Sequence, residues 1–130
     1  MEEVTRNRIL VVEDDQDAAM LVRMRLEAAG FDVQTVASGA AALTDAAAHR
    51  PNLVILDLRL PDIGGYDVCR NLRRLFGPWA VPVLMLTGMD KPIEQLRGFA
   101  YGADAYLTKP YDSHELLRTV HLLLEQLALA

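Results

Sequence analysis

Short apolar runs alternate with longer amphipathic stretches along the whole chain. Five runs are rich in Val, Ile and Leu and predict β-strands, at Arg8–Val12, Asp32–Val36, Leu53–Leu56, Val81–Leu86 and Ala105–Leu107. Five stretches carry apolar residues spaced three and four apart and predict helices, at Gln16–Ala29, Gly39–His49, Gly65–Leu75, Pro92–Tyr101 and Ser113–Ala128. Strands this continuously apolar are typical of sheets covered on both faces. The pattern therefore predicts an α/β fold, with a parallel sheet between two layers of helices.

Length and composition predict one domain. The chain has 130 residues, of which 52% are hydrophobic, and this is enough for a single buried core. We therefore expect one domain over residues 1–130, with a core at about residues 8–127. Lys and Arg number 13 against 18 Asp and Glu, for a net charge of −5. Because no basic excess is left to hold a phosphate backbone, we do not expect direct binding to nucleic acid.

The N-terminus and the single cysteine predict a cytoplasmic protein. Cys69 has no partner for an internal disulfide, and the start Met1-Glu2-Glu3 is acidic where a secretory signal would be basic and then apolar. No apolar run approaches the roughly 20 residues that span a bilayer. We therefore expect neither membrane insertion nor an oxidising compartment, and we interpret Cys69 as a small core residue.

Carboxylates follow two of the predicted strands directly. The first strand leads into Glu13 and Asp14, and the third leads into Asp57. In open parallel sheets the ligand crevice lies at the carboxyl ends of the strands, so we expect these anions to converge if the two strands are neighbours. Because like charges repel at short range, a divalent cation is the simplest counter-charge. Oxygen ligands without His or Cys favour Mg²⁺ over zinc.

A hydroxyl and an ammonium follow the other two informative strands. The fourth strand leads into Thr87-Gly88 and the fifth into Thr108-Lys109-Pro110. A metal, a lysine and a hydroxyl donor around one aspartate suit phosphoryl transfer, which depends on neutralising the equatorial oxygens. The residues therefore predict that Asp57 is a nucleophile that forms an aspartyl-phosphate, with Lys109 and Thr87 beside it.

Several short motifs occur in one order along the chain: Val11-Val12-Glu13-Asp14, Asp57 with Leu60-Pro61 and Gly65, Thr87-Gly88, Gly102-Ala103-Asp104, and Tyr106 with Lys109-Pro110. Each motif alone is weak, but the ordered set is specific. From Arg8 to about Leu127 the sequence resembles the receiver domain of response regulators in two-component systems, of the chemotaxis-regulator kind. The resemblance implies a flavodoxin-like (βα)5 three-layer sandwich whose five parallel strands lie in the order 2-1-3-4-5.

The resemblance also implies a ligand set for Mg²⁺. Asp14 and Asp57 would bind the ion directly, the backbone carbonyl of Arg59 would be a third ligand, and Glu13 would act through water. Lys109 would contact the phosphoryl oxygens. A sensor histidine kinase or a phosphotransfer protein would supply the phosphoryl group, and the domain would catalyse only its own phosphorylation and dephosphorylation.

The resemblance further implies a switch. Thr87 would move toward the phosphoryl group and Tyr106 would turn inward behind it, which would reshape the face of helix four, strand five and helix five. That face would control a downstream effector or output domain. Members of the family carry a cis peptide before the proline that matches Pro110, so we expect one here.

Three positions depart from the common pattern. Gly64 stands where the family often has a polar residue that caps helix three, so we expect a looser loop there. Arg59 and Met89 lie two residues after Asp57 and Thr87, at positions that vary in the family and influence the lifetime of the phosphoryl group.

Three other functions compete with this interpretation. A phosphatase with an aspartate nucleophile would need a second Asp two residues after Asp57, where this chain has Arg59. A nucleotide or flavin binder would need a glycine-rich first loop, where this chain has acidic residues. The third alternative is a protein-binding module of the same fold that works without phosphorylation.

The last helix carries more apolar positions than one buried stripe needs. They are Leu116, Leu117, Val120, Leu123, Leu124 and Leu127. We therefore predict that some of them form a partner surface or a homodimer surface on phosphorylation.

Overall fold

The structure is a computed structural model, and it describes residues 6–129, with side chains described for residues 6–125. Five strands alternate with five helices along the chain. The strands are β1 Arg8–Val12, β2 Asp32–Val36, β3 Leu53–Leu56, β4 Val83–Thr87 and β5 Ala105–Thr108. The helices are α1 Gln16–Ala28, α2 Gly39–Ala48, α3 Gly65–Phe76, α4 Pro92–Ala100 and α5 Ser113–Leu129.

All five strands pair in parallel in one sheet, in the order β2-β1-β3-β4-β5. After β2 the chain crosses back to the other side of β1, so β1 and β3 are neighbours, with Val12 opposite Leu56. This order confirms the predicted flavodoxin-like (βα)5 arrangement. Because the last residues of β1 and β3 are in register, the residues that follow them lie side by side at the carboxyl edge of the sheet.

Two hydrophobic clusters cover the two faces of the sheet. In β1, Ile9 and Val11 belong to one cluster with residues of α1 and α5, whereas Leu10 and Val12 belong to the other with residues of α2 and α3. The alternation follows from the two-residue period of a strand. Burial on both faces explains why the strands are continuous in apolar residues.

The boundaries of β4 differ from the prediction. The strand begins at Val83 instead of Val81, because Pro82 has no N–H for the ladder. It ends at Thr87 instead of Leu86, and the Thr87 carbonyl accepts a hydrogen bond from Lys109 N at 2.8 Å. Thr87, which was predicted to follow the strand, is therefore its last residue. The remaining predicted boundaries agree with the structure to within one residue.

Most of the apolar positions on α5 belong to the core. Leu116, Val120 and Leu123 are buried, and Leu117 and Leu124 pack against the same cluster while partly buried. The side chain of Leu127 lies outside the described residues. Among the α5 side chains up to residue 125, Leu122 is the exposed large apolar residue, at 53%. A partner surface on α5 stays a prediction, with fewer candidate residues than the sequence suggested.

Cys69 is fully buried on α3, as the sequence predicted, and burial raises the pKa of its thiol to about 11. Among residues 6–129, no helix combines the length and the apolar character that a membrane crossing requires.

Candidate functional site

Side chains from the ends of four strands meet at the carboxyl edge of the sheet. Backbone hydrogen bonds extend the ladder by one residue beyond β1, β3 and β5: Glu13 N donates to Val36 O at 3.0 Å, Asp57 N to Val12 O at 3.0 Å, and Lys109 N to Thr87 O at 2.8 Å. The functional residues are thus fixed by the sheet itself. A rigid backbone of this kind holds side chains in place more closely than a free loop would.

Lys109 lies between two buried carboxylates. Its Nζ is 3.1 Å from Asp57 Oδ2 and also donates a short hydrogen bond to Glu13 Oε1. Glu13 and Asp57 are each only 8% exposed. The structure therefore brings together three predicted site residues: Asp57, the predicted nucleophile and metal ligand, Lys109, predicted to contact the phosphoryl oxygens, and Glu13, predicted to bind the metal through water.

The Asp57 carboxyl is ionised at neutral pH. Burial alone would raise its pKa, but hydrogen bonds from Arg59 N and Lys109, with the positive charge of Lys109, outweigh burial and hold the pKa below its ordinary value. Arg59 N donates to Oδ1 at 3.1 Å, so each oxygen of the carboxylate has a donor. An ionised, oriented carboxylate at the bottom of a crevice can act as a nucleophile.

The site carries a surplus of negative charge. Burial and the neighbouring Asp57 charge raise the pKa of Glu13, although the hydrogen bond from Lys109 opposes them. Burial would lower the pKa of Lys109, but its bonds to Glu13 and Asp57 raise it, so Lys109 remains charged. One ammonium cannot neutralise two carboxylates. The oxygen donor set and the uncompensated charge fit a hard divalent cation such as Mg²⁺.

Asp14 lies next to Glu13 in the β1–α1 loop and is exposed. The capping role that Asp often has is taken by Asp15, whose Oδ1 accepts from Ala18 N at 3.0 Å at the start of α1. Within residues 6–129, no three His, Cys, Asp or Glu side chains are grouped closely enough to hold a metal by themselves. A magnesium site here would therefore need backbone oxygen and water besides carboxylates, which is how Mg²⁺ is commonly bound.

Thr87 and Tyr106 lie on adjacent strands next to Asp57. Thr87 is fully buried, and its Oγ1 accepts from Met89 N at 3.4 Å. The Tyr106 hydroxyl donates to Met89 O at 2.5 Å, and burial with the charge of nearby Glu94 raises its pKa to about 12. Both predicted switch residues therefore contact the same residue of the β4–α4 loop.

The helix α4 approaches this pair closely because it carries a glycine. A Cβ on Gly98 would lie 2.8 Å from Met85 Sδ and 3.1 Å from the Tyr106 ring. A larger residue at this position would require Met85 or Tyr106 to shift. The Lys109–Pro110 peptide bond is cis, as the resemblance implied.

Comparison with known proteins identifies the family. The model of the response regulator receiver domain matches residues 9–121. The chain belongs to this family.

Relatives of the receiver domain agree in sequence and in fold. This chain is 43% identical over 119 residues to the DNA-binding dual master transcriptional regulator RpaA of Synechocystis sp., and the match covers 92% of this chain and 49% of that protein. It is 39% identical over 119 residues to the phosphate regulon transcriptional regulatory protein PhoB of Rhizobium meliloti, covering 92% and 52%. A CheY-like receiver domain protein from Methanospirillum hungatei JF-1 has a TM-score of 0.89 at 27% identity, covering 95% of this chain and 98% of that one. The chain spans about half the length of these curated relatives.

One residue of the receiver domain that sequence analysis missed is Asp62, in the β3–α3 loop. Its Oδ1 accepts from Gly39 N at 2.8 Å and its Oδ2 from Ala40 N at 2.9 Å. These bonds lower the pKa of Asp62 and add to the cap that Ser38 provides at the start of α2. Local sequence pattern could not indicate this role, because the partner amides lie more than 20 residues earlier in the chain.

The same loop is held at its other end by a glycine. Gly64 provides no side-chain cap for α3, as expected. The next residue, Gly65, lies against the backbone that follows β3. A Cβ at Gly65 would lie 2.6 Å from both Asp57 O and Leu58 Cα. The loop is therefore attached at Asp62 and at Gly65, which counteracts the loss of a polar cap at Gly64.

Proposed function

We propose that this receiver domain accepts a phosphoryl group on Asp57 from a sensor histidine kinase or a phosphotransfer protein. The observation that carries the proposal is the Asp57 carboxylate itself. It is buried and ionised, with Lys109 Nζ at 3.1 Å from one oxygen and Arg59 N at 3.1 Å from the other. No protein group needs to remove a proton from it before it attacks.

The transfer forms one bond and breaks one. An oxygen of Asp57 attacks phosphorus, the bond from phosphorus to the donor nitrogen breaks, and its electron pair returns to the donor imidazole. Lys109 can follow the charge, because its ammonium already contacts Asp57 and can move to a phosphoryl oxygen with little displacement. The domain acts as a signalling protein that catalyses only its own phosphorylation and dephosphorylation.

We assign Mg²⁺ to the acidic side of the site. Asp14 and Asp57 would bind it directly, the carbonyl of Arg59 would be a third ligand, and Glu13 would act through water. When bound, the ion would neutralise the charge that Lys109 leaves uncompensated. Backbone hydrogen bonds to the sheet hold Glu13, Asp57 and Lys109 at this edge, where the ion would bind.

The proposed output is a change at the face of α4, β5 and α5. Phosphorylated Asp57 would attract the Thr87 hydroxyl, and Thr87 shares Met89 with Tyr106. Movement at Thr87 would thus be transmitted to the Tyr106 side chain through one loop residue. This face would then regulate an effector or an output domain in the cytoplasm, and could form a homodimer. Contact with nucleic acid would belong to the output domain, because this chain has a net charge of −5.

Beryllofluoride, a mimic of the phosphoryl group, tests this function directly. We expect Mg²⁺-dependent amide shifts at Thr87, Met89 and Tyr106 in a two-dimensional NMR spectrum, and no such shifts in Asp57→Asn. Silence at Thr87 and Tyr106 in the wild type would instead favour a module of this fold that works without phosphorylation.

A further inference from the structure

A mainly apolar cavity of about 250 Å³ lies beside the acceptor, between α1 and the beginning of the β5–α5 loop. Asp57 and Lys109 form its border on the phosphorylation side. Its apolar lining includes Val11, Ala18, Val22, Ile55 and Leu86. Three of these residues, on β1, β3 and β4, belong to the face of the sheet that α1 and α5 cover. The cavity is therefore a gap in that layer of the core, next to the site of phosphoryl transfer.

Two polar atoms on the wall of this cavity lack a partner. Arg25 Nε and the Tyr111 hydroxyl are buried, and neither has a hydrogen-bond partner among the residues that the structure describes. Nearly all buried polar atoms in folded proteins are hydrogen-bonded, to protein or to another group. Two such atoms on one cavity therefore indicate that the cavity receives something that bonds to them.

Arg25 supplies positive charge to a cavity whose lining also includes the carboxylates of Glu13 and Asp57. Lys109 also borders the cavity, but its ammonium is already bound to Glu13 and Asp57. Arg25 forms no ion pair with any residue from 6 to 125. Its charge acts on Tyr111: burial raises the pKa of Tyr111, and Arg25 opposes the rise. The guanidinium and the hydroxyl both line the cavity, so both can donate to an anion within it.

We infer that this cavity binds a small monocarboxylate with an apolar body. The carboxylate accepts hydrogen bonds from Arg25 Nε and the Tyr111 hydroxyl, and the body lies against Val22 and Leu86. A carboxylate suits a guanidinium better than a neutral ligand does, because the charge strengthens both hydrogen bonds. The volume lies just below the roughly 300 Å³ at which pockets for drug-sized ligands begin, so a single ring or a short chain fits.

Water is the alternative occupant. It could satisfy Arg25 and Tyr111, but a cavity lined mainly by apolar side chains offers water few partners over the rest of its volume. A ligand with one charged end and an apolar body matches both parts of the lining. The inference goes beyond the proposed function, since binding here needs neither Mg²⁺ nor a phosphoryl group.

An NMR titration of the full chain, without Mg²⁺ or phosphodonor, tests the inference. Benzoate and hexanoate are compared with the neutral amides benzamide and hexanamide. We expect saturable shifts of the methyl groups of Val11, Val22 and Leu86 with the acids, and affinities about tenfold weaker for the amides. Equal binding of acids and amides would overturn the role of Arg25. The absence of methyl shifts with any acid at millimolar concentration would show that the cavity holds water only.

Variants locate the binding. Arg25→Gln and Tyr111→Phe should each weaken benzoate binding several-fold, and Ala18→Leu should abolish it by filling the cavity. The matched control is Arg23→Gln on the same helix, because Arg23 pairs with Glu27 and is exposed; it should leave the affinity unchanged. Wild-type affinity in Arg25→Gln, or an equal loss in Arg23→Gln, would contradict the inference.

Discussion

At the scale of single residues, the proposed phosphoryl transfer depends on Lys109, whose ammonium binds both Glu13 and Asp57. One cation cannot satisfy two buried carboxylates, so the site without metal contains repulsion that the fold has to tolerate. Proteins are often less stable than they could be because the groups of a binding site are arranged for a ligand. Glu13 is the better residue on which to test this, because it would reach the ion only through water.

We predict that Glu13→Gln stabilises the protein in the absence of metal and weakens its response to Mg²⁺. Burial raises the pKa of Glu13 in the folded state, so the ionised form costs stability above that pKa, and the cost disappears at a pH low enough to protonate Glu13 in both states. The expected gain at pH 7 is on the order of 1 kcal/mol in free energy of unfolding. Urea unfolding with and without Mg²⁺ measures both effects.

The pH dependence is the control for this prediction. The advantage of Glu13→Gln should shrink as the pH falls toward the range in which Glu13 is protonated. A variant that is less stable than the wild type at pH 7 without Mg²⁺ would show that the Lys109 bond outweighs the repulsion.

At the scale of secondary structure elements, the β3–α3 loop connects Asp57 to α2 and α3. Asp62 binds the first amides of α2, and Gly65 lets α3 begin directly against the acceptor strand. The loop contains Arg59, whose N–H bonds to Asp57 and whose carbonyl we assign to Mg²⁺. These two attachments therefore connect the loop that contains Arg59 to α2 and to the start of α3.

Removal of the Asp62 carboxylate should loosen this connection. Because Asp62 accepts from two amides that α2 leaves unpaired, we expect Asp62→Ala to lower the melting temperature at pH 7 by roughly a few degrees. Its pKa is lowered in the folded state, so this contribution is present at neutral pH and is lost as the pH falls through that pKa. Asp67→Ala is the matched control, because Asp67 forms only an exposed ion pair with Arg70. Equal melting temperatures of Asp62→Ala and Asp67→Ala would contradict the assignment.

Two adjacent glycines should respond differently to alanine. We expect Gly65→Ala to lower the free energy of unfolding by about 1–3 kcal/mol, because its Cβ would meet backbone atoms of Asp57 and Leu58 at 2.6 Å. In Gly64→Ala, the Cβ would find only Asp67 Oδ2, at 4.0 Å. Urea unfolding of the two variants measures the difference, and a larger loss at Gly64 than at Gly65 would show that the packing is described incorrectly.

At the scale of the whole molecule, the architecture was predictable because it depends on local pattern. Continuous apolar runs gave the five strands, and the residues after those runs gave Asp57 and Lys109. The strand order came from the resemblance to receiver domains and is confirmed by the sheet. The family is likewise confirmed, whereas the metal ligands and the switch remain proposals.

Two of the features that escaped prediction involve distant parts of the chain. The bonds from Asp62 to α2 and the shared cavity of Arg25 and Tyr111 depend on how helices pack on the sheet, which local sequence pattern does not indicate. The predicted start of β4 was wrong for a different reason. The apolar run Val81–Leu86 indicated a strand, but Pro82 has no N–H for the ladder and the strand begins at Val83. Contacts between elements that are distant in the sequence are visible only in the three-dimensional structure.

The central claim is that Asp57 accepts a phosphoryl group, and intact mass spectrometry tests it most directly. The protein would be incubated with acetyl phosphate and Mg²⁺, beside Asp57→Asn, Asp62→Asn and a sample with EDTA. Asp62→Asn is the matched control, because it changes an aspartate in the same loop without touching the acceptor.

We predict that the wild type and Asp62→Asn each gain one phosphoryl group in the presence of Mg²⁺, and that Asp57→Asn and the EDTA sample gain none. A wild type that stays unmodified with acetyl phosphate and also with a phosphorylated histidine kinase would contradict the account, as would the same added mass on Asp57→Asn.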